Sequence, residues 1–504
     1  MSKYYVACDL SPDSGRVILG TLNQSTLTLS DIRRFKNVPV QEKDSLQWNI
    51  PQLYQELLAG LNAIGTYEEG VDSISCDSWG GDYLLFDADA SLITPAYHHK
   101  DPRGREGMQK ILSHVTREAL YQETGVQAEP GNTLFQLAAE KGRRLARAHH
   151  LLPIADAFNY LLSGVPRIEM TMTSATQLYN PMAQAWSTRL LKTLDLSPKL
   201  FAPLATAGEE LGTLNEQIAK STKLDDACVI ATCSNQTAAA LAGLPAQPGE
   251  AWAYLRLGPQ AVMGTELAGP LITDASRSLG FSNDPGYGGA VHFSKPTVGL
   301  WMLEECRQYW RERDREIDNG LLGHLAGSAP PFESLINPTD PRFQTPGDMP
   351  LKVQAFCRET MQPVPRKPGP IIRCILESLA LSYRHTLQEI EETTGRKITR
   401  VFLFGGGVSD LLNHFIANAI RRPLVTVPAE AAAIGNIAVQ MVAMRHVASL
   451  EQAREIVRTS IKAETLLPYA TAWDSAFARL SDLCSSKLSL RRAAPGPLVD
   501  LTAA

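Results

Sequence analysis

The sequence predicts an α/β protein built as two halves, each a mixed β-sheet flanked by helices. Three observations predict it. The chain has 504 residues, too many for one compact core and suited to two domains of roughly 250 residues or somewhat fewer. Short β-rich runs alternate with amphipathic helical ones. The order strand, turn, helix then occurs twice, with a boundary near residue 245.

Each element has its own signal. In the first half, residues 4–10 read as a strand and 16–21 as its hairpin partner. Residues 50–65 read as a helix, because Leu53, Leu57 and Leu61 recur at helical spacing. Residues 71–77 and 83–86 read as further strands. In the second half, 251–257 and 261–265 are strand-like, 371–394 is a long helix, and 399–404 is a strand running into a glycine turn. Pro- and Gly-rich stretches at 326–349 and 362–370 read as surface connections, and 486–504, with Arg491 and Arg492, reads as a disordered tail. The expected domains are therefore 1–244 and 245–485.

Composition narrows the function classes. Lys and Arg number 48 against 53 Asp and Glu, a formal net charge of -5, so there is no basic footprint and nucleic acid is not an expected partner. No apolar run approaches the roughly 20 residues needed to span a bilayer, and the N-terminus lacks a charged start followed by an apolar core; a cytoplasmic protein is expected. The eight cysteines form no CxxC pair, which argues against a zinc site or a disulfide framework.

Four segments carry chemistry-bearing residues. The first is Asp9-Leu-Ser11-Pro12-Asp13-Ser14-Gly15-Arg16. The second is Asp77-Ser-Trp79-Gly80-Gly81-Asp82 at a strand end, accompanied by Trp48, by Tyr97 with Lys100, Asp101 and Arg103, and by Asn132 with Gln136. The third is Ser234-Asn235-Gln236-Thr237, followed by the strand Leu257-Gly258-Pro259-Gln260. The fourth is Lys295-Pro296 with Glu304, then Gly405-Gly406-Gly407 with Asp410, then Glu430-Ala431 with Gly435-Asn436. The glycine turn between a strand and a helix, with the Glu-Ala and Gly-Asn pairs some 25 residues on, is the most specific of these.

Together the segments resemble the FGGY carbohydrate kinases, and within them the rhamnulokinases, over roughly residues 4–485. The resemblance implies two actin-like or hexokinase-like (ribonuclease H-like) domains around a central cleft lined by Asp9, Trp79, Asp82, Gln236 and Gly406. It implies ATP- and Mg²⁺-dependent phosphorylation of a ketose hydroxyl. By the same resemblance Trp79, Gly81, Asp82, Asn235, Gln236 and Thr237 bind the sugar. Asp9, Ser14, Gly15, Arg16, Gly258, Pro259, Pro296, Glu304 and Gly406 fall on the nucleotide side, and Asp9 is the residue that would hold Mg²⁺.

The departures from the family pattern collect on one side. Gln236 stands where the family has its catalytic Asp, and an amide has no titratable group to take a proton. Ser11 replaces a glycine, Pro12 and Pro259 each remove a backbone donor, and Leu257 replaces a hydroxyl. Pro296 and Glu304 replace an Asn and a Gln. The sugar-side pattern is intact. The leading expectation is a sugar- or ketose-binding protein with phosphorylation lost or severely weakened and ATP-Mg²⁺ bound weakly or not at all, with a regulatory role, a protein partner or a homodimer left open. Two alternatives stand beside it: an active ketose kinase using a surrogate carboxylate such as Asp82 or Asp13, and a cleft recruited for other chemistry through Asp9, Asp77, Asp82 and the inserted pair His98-His99.

Overall fold

The structure, a computed structural model, describes residues 2–67, 70–406, 410–469 and 472–485. The tail at 486–504 and Gly407 of the glycine turn lie outside the described residues. The chain packs as two compact units. The first holds Met1–Pro248, Glu266–Phe293 and Glu430–Lys462, and the second holds Gly249–Thr265, Ser294–Ala429 and Ala463–Ala504. A single cut after residue 244 does not describe this packing, because two later segments return to the first unit.

The first unit is built on a six-stranded sheet of β1 (Lys3–Leu10), β2 (Ser14–Asn23), β3 (Thr26–Lys36), β4 (Ser73–Asp77), β5 (Glu209–Thr213) and β6 (Cys228–Ala231), in the order β5-β6-β4-β1-β2-β3. β1 and β4 read as apolar runs because both are central and covered on two faces: residues 5–10 and all of β4 are buried. β1 pairs antiparallel with β2 and parallel with β4. That register sets Asp9 opposite both Arg16 and Asp77. The helix Ile50–Tyr67 buries Leu53, Leu57, Leu61 and Ile64, as its spacing predicts. β3 gave no such signal. It is the edge strand, where charged side chains such as Asp31, Arg33 and Arg34 are tolerated and guard against edge pairing.

The helix Ala431–Ala443 is apolar nearly all round and correspondingly buried. It crosses the helix Gln236–Ala242 at a contact only glycine permits. A Cβ on Gly435 would lie 1.7 Å from the Ala239 carbonyl oxygen, and one on Gly243 would lie 2.6 Å from the Gly435 Cα.

In the second unit, β7 (Trp252–Leu257), β8 (Gln260–Leu267), β9 (Val291–Val298), β10 (Arg400–Gly405), β11 (Leu424–Thr426) and β12 (Glu464–Leu466) run in the order β9-β8-β7-β10-β11-β12. The hairpin Gly258–Pro259 joins β7 to β8, and β7 pairs parallel with β10. The long helix begins at Pro368, three residues before the expected start. Prolines in a first helical turn cost nothing there, since their missing N–H groups have no partner in any case. The stretch 326–349 likewise contains the end of the helix Asn319–Gly327 and a 3₁₀ turn at Pro341–Gln344. Among the described residues, no helix is long and apolar enough to cross a membrane.

Candidate functional site

The strand ends of the first unit carry a buried charge cluster. Asp9 is 1% exposed. Its Oδ2 accepts from Arg16 Nη2 at 2.8 Å and its Oδ1 from Gln236 Nε2 at 2.5 Å. Beside it, Asp77 Oδ2 accepts from Asn436 Nδ2 at 2.7 Å, while its Oδ1 is sealed from solvent with no donor. Burial, then the neighbouring Asp9 charge, push the Asp77 carboxyl well above the carboxylate range, against the weaker pull of Asn436 and Arg16. A proton on Asp77 Oδ1 would supply the hydrogen bond that this buried oxygen otherwise lacks.

Gln236 completes the arrangement. Its Nε2 also donates to Ser11 Oγ at 2.7 Å. The residue opens the helix Gln236–Ala242, capped by Asn235, whose Oδ1 accepts from the Thr237 and Ala238 N–H groups. The loop before the helix is held from below. Ser234 Oγ donates to Asp156 at 2.7 Å, Ser234 N donates to Glu169 Oε2 at 2.9 Å, and Asn235 N donates to Thr171 Oγ1 at 3.0 Å. Burial pushes Glu169 up to about 7 despite these bonds, and burial with the Glu169 charge raises Asp156. The residues of the first loop do other work. Ser14 is exposed, and Gly15 makes room for Phe35, which a Cβ would meet at 2.2 Å.

On the sugar side, Asp82 is saturated. Its Oδ2 accepts from Trp48 Nε1, Trp79 Nε1 and His99 Nδ1, each at 2.8 Å, and its Oδ1 accepts from Gln136 Nε2 at 2.9 Å. Burial alone would raise its pKa, but His99 and these N–H donors outweigh it and hold the carboxyl below its usual range. Gly81 sits at φ +92 and turns its carbonyl to Thr133 and Gln136. Asp82, His98 and His99 have the spacing of a metal site, but the Asp82 oxygens accept four N–H donors and His98 Nδ1 is also taken. His98 Nδ1 accepts from Lys100 N at 2.9 Å, which leaves the neutral ring's proton on Nε2, and burial followed by His99 lowers His98 to about 3. What the group presents instead is His99: an ionised Asp82 fixes its Nδ1–H, and 24% of the side chain is exposed. The inserted His-His pair was the one sequence signal for this dyad.

In the second unit, the hairpin carbonyls of Gly258 and Pro259 accept from Leu300 N (2.8 Å) and Trp301 N (3.1 Å), so they cap the helix Trp301–Arg311. Pro296 is exposed, and Glu304 pairs with Arg307 at 3.0 Å. Pro259 and Pro296 border a cavity of about 590 Å³ that also includes Trp301, Phe343 and Phe477 but not Glu304 or Gly406. Asn436, from the fourth motif segment, holds Asp77 within the first unit.

Two α/β units with a carboxylate beside the first hairpin suit the kinase fold class that the sequence predicts, and comparison with known proteins identifies the family. The N-terminal domain of the FGGY family of carbohydrate kinases matches residues 4–243 and the C-terminal domain matches 253–444; the chain belongs to this family. It is 36% identical over 482 residues to the rhamnulokinase of Bacteroides thetaiotaomicron, covering 95% of this chain and 98% of that one. It is 34% identical over 464 residues to the rhamnulokinase of Enterococcus faecalis, covering 91% and 93%. In fold it is similar to the xylulose kinase of Lactobacillus acidophilus (TM-score 0.81, 15% identity, 97% of this chain and 99% of that one) and to the glycerol kinase of Plasmodium falciparum (TM-score 0.79, 11% identity, 98% and 99%).

Kinases of this family use ATP and Mg²⁺. By the family resemblance Asp9 is the residue that would hold Mg²⁺; here its Oδ2 accepts from Arg16 and its Oδ1 from Gln236, and each oxygen keeps a further lone pair.

Proposed function

We propose that this chain is a sugar-binding carbohydrate kinase homologue in which ATP-dependent phosphorylation of a ketose is lost or severely weakened. The observation that carries the reading is Gln236: its amide nitrogen bridges Asp9 and Ser11, at the position where the family resemblance puts the base. Loss of a general base costs about 10²–10⁴-fold in rate, and each lost phosphate donor about 10²–10³-fold more. The rhamnulokinase relatives make L-rhamnulose the first ketose to test. Product formation with ATP-Mg²⁺ and L-rhamnulose, followed by ³¹P NMR alongside calorimetry of the sugar alone, is expected to show sugar binding without turnover. Turnover at the rate of a working rhamnulokinase overturns the proposal.

One observation favours a second reading, an active kinase with a substitute base. Asp82, with four donors on it, is a poor candidate, whereas His99 is oriented by Asp82 in the manner of a base and its orienting carboxylate. Turnover abolished by His99→Gln would support this reading over the first.

A further inference from the structure

Arg256 is the anomaly of the second unit. It lies near the end of β7, opposite Val262 on β8 and Phe404 on β10, in the otherwise apolar run Tyr254-Leu255-Arg256-Leu257. Other arginines of this unit have carboxylate partners: Arg307 with Glu304, Arg373 with Glu377, Arg422 with Glu391. Arg256 has none among the described residues. Its Nε is sealed from solvent without an acceptor, and burial lowers its pKa, with only the Tyr254 phenol acting the other way. A guanidinium does not shed its proton at ordinary pH, so the charge stays and its desolvation is uncompensated within the protein. Nε alone of its three nitrogens is a buried orphan; the two Nη groups remain reachable.

The surroundings leave room for a partner. Two residues on, the strand ends at Gly258, where a Cβ would touch only the Gln260 carbonyl at 3.3 Å. The neighbouring strand ends at Gly405, at φ +97, where a Cβ would meet the Leu257 oxygen at 2.2 Å, and is followed by Gly406, where a Cβ would meet nothing within 4 Å among the described residues. The backbone itself offers little to an anion. Pro259 has no N–H, Gly406 N is spent on the Leu257 carbonyl (3.0 Å), and the nearby helix N-terminus is capped by the hairpin carbonyls.

We propose that Arg256 forms an oxyanion site, taking the phosphoryl group of free inorganic phosphate or of a phosphate monoester through its planar Nη fork. Five donors in a fixed fork match two phosphate oxygens at once, and the bound dianion supplies the counter-charge the protein lacks. The site does not depend on phosphoryl transfer, so its test and the turnover assay fail independently.

The test is thermal unfolding and calorimetry of the full chain with inorganic phosphate, with L-rhamnulose 1-phosphate and with ATP-Mg²⁺, each against sodium chloride at matched ionic strength. Phosphate or the monoester is expected to raise the midpoint of the natural protein; a response to phosphate assigns the free ion, and one to the monoester alone assigns the ester. Arg256→Met is expected to weaken that binding about tenfold or more, while its own midpoint without phosphate stays level or rises, because an unpaired, half-buried charge is gone. Arg256→Lys, which keeps the charge but loses the fork, is expected to fall between. No response to either phosphate, a response to ATP alone, an undiminished response in Arg256→Met, or unfolding of Arg256→Met with Arg256→Lys responding fully would each overturn the proposal.

Discussion

The polar groups of the two units are handled in opposite ways. In the first, the buried polar side chains answer one another: Asp82 takes four N–H donors, Asp9 takes two, and burial with the Asp9 charge pushes the Asp77 carboxyl well above the carboxylate range. In the second, the hairpin Gly258–Pro259 carries no hydroxyl and its proline has no N–H, and Arg256 beside it has no acceptor for its Nε. A satisfied network rigidifies and is costly to cut, whereas an unsatisfied group is held in place by packing elsewhere. Substitutions in the first unit should therefore cost far more than those in the second.

The largest contrast lies between two glycines. Gly435→Ala drives a methyl into the Ala239 carbonyl, and neither helix backbone can yield cheaply. A loss above about 4 kcal/mol is expected, read as failure to fold or a collapse of the denaturation midpoint. Gly406→Ala meets nothing among the described residues and should change stability by less than about 0.5 kcal/mol. Equal effects would erase the distinction. Next is Asp82→Asn. It turns one acceptor oxygen into a donor facing N–H groups, and about 3 kcal/mol should be lost in urea unfolding, since a buried network is broken rather than replaced.

Glu169 sharpens the comparison through pH. Its folded pKa, about 7, lies above the ordinary 4.5. The folded state therefore holds the extra proton, and the associated stability is fully present below pH 4.5 and is lost as pH rises through 7. Glu169→Gln should flatten this slope and gain up to about 3 kcal/mol relative to the natural protein at pH 8. An unchanged slope would show that Glu169 is not its source. Among the substitutions of the first unit, the smallest expected effect is that of Gln236→Asp. A third carboxyl beside Asp9 and Asp77 should cost about 1–2 kcal/mol at pH 8 and less at pH 5, without restoring ketose phosphorylation on its own, because residues that act as a unit do not repair singly.

Much of this was legible in the sequence, for reasons that also explain what was not. The strands at 4–10 and 83–86 and the helix at 50–65 announce themselves by period and by buried apolar runs. The edge strand Thr26–Lys36 does not, because solvent lets its side chains be polar. The motif segments grouped Gln236 with Asp9 in one cleft, and the two side chains are hydrogen-bonded, but hydrogen-bond saturation is a property of three-dimensional neighbours. Nothing in Trp79-Gly80-Gly81-Asp82 reveals that Trp48, His99 and Gln136 have already filled the Asp82 oxygens. Arg256 was visible as a lone charge in an apolar strand, a pattern that usually marks an edge; here the strand is central, between β8 and β10.

The return of the segment 430–462 to the first unit has a consequence for how the protein is made. Asn436 is separated from Asp77, the carboxyl it bonds, by 359 residues. A ribosome working at about 5–20 residues per second needs roughly 20–70 s to cover that distance. Throughout that interval the nascent first unit has its sheet strands but neither the glycine-crossed helix Ala431–Ala443 nor the amides of Asn436 and Gln440 that satisfy its buried polar groups. Its completion is consequently a late event of synthesis, and a chain released before residue 443 carries an open apolar face that chaperones would recognise.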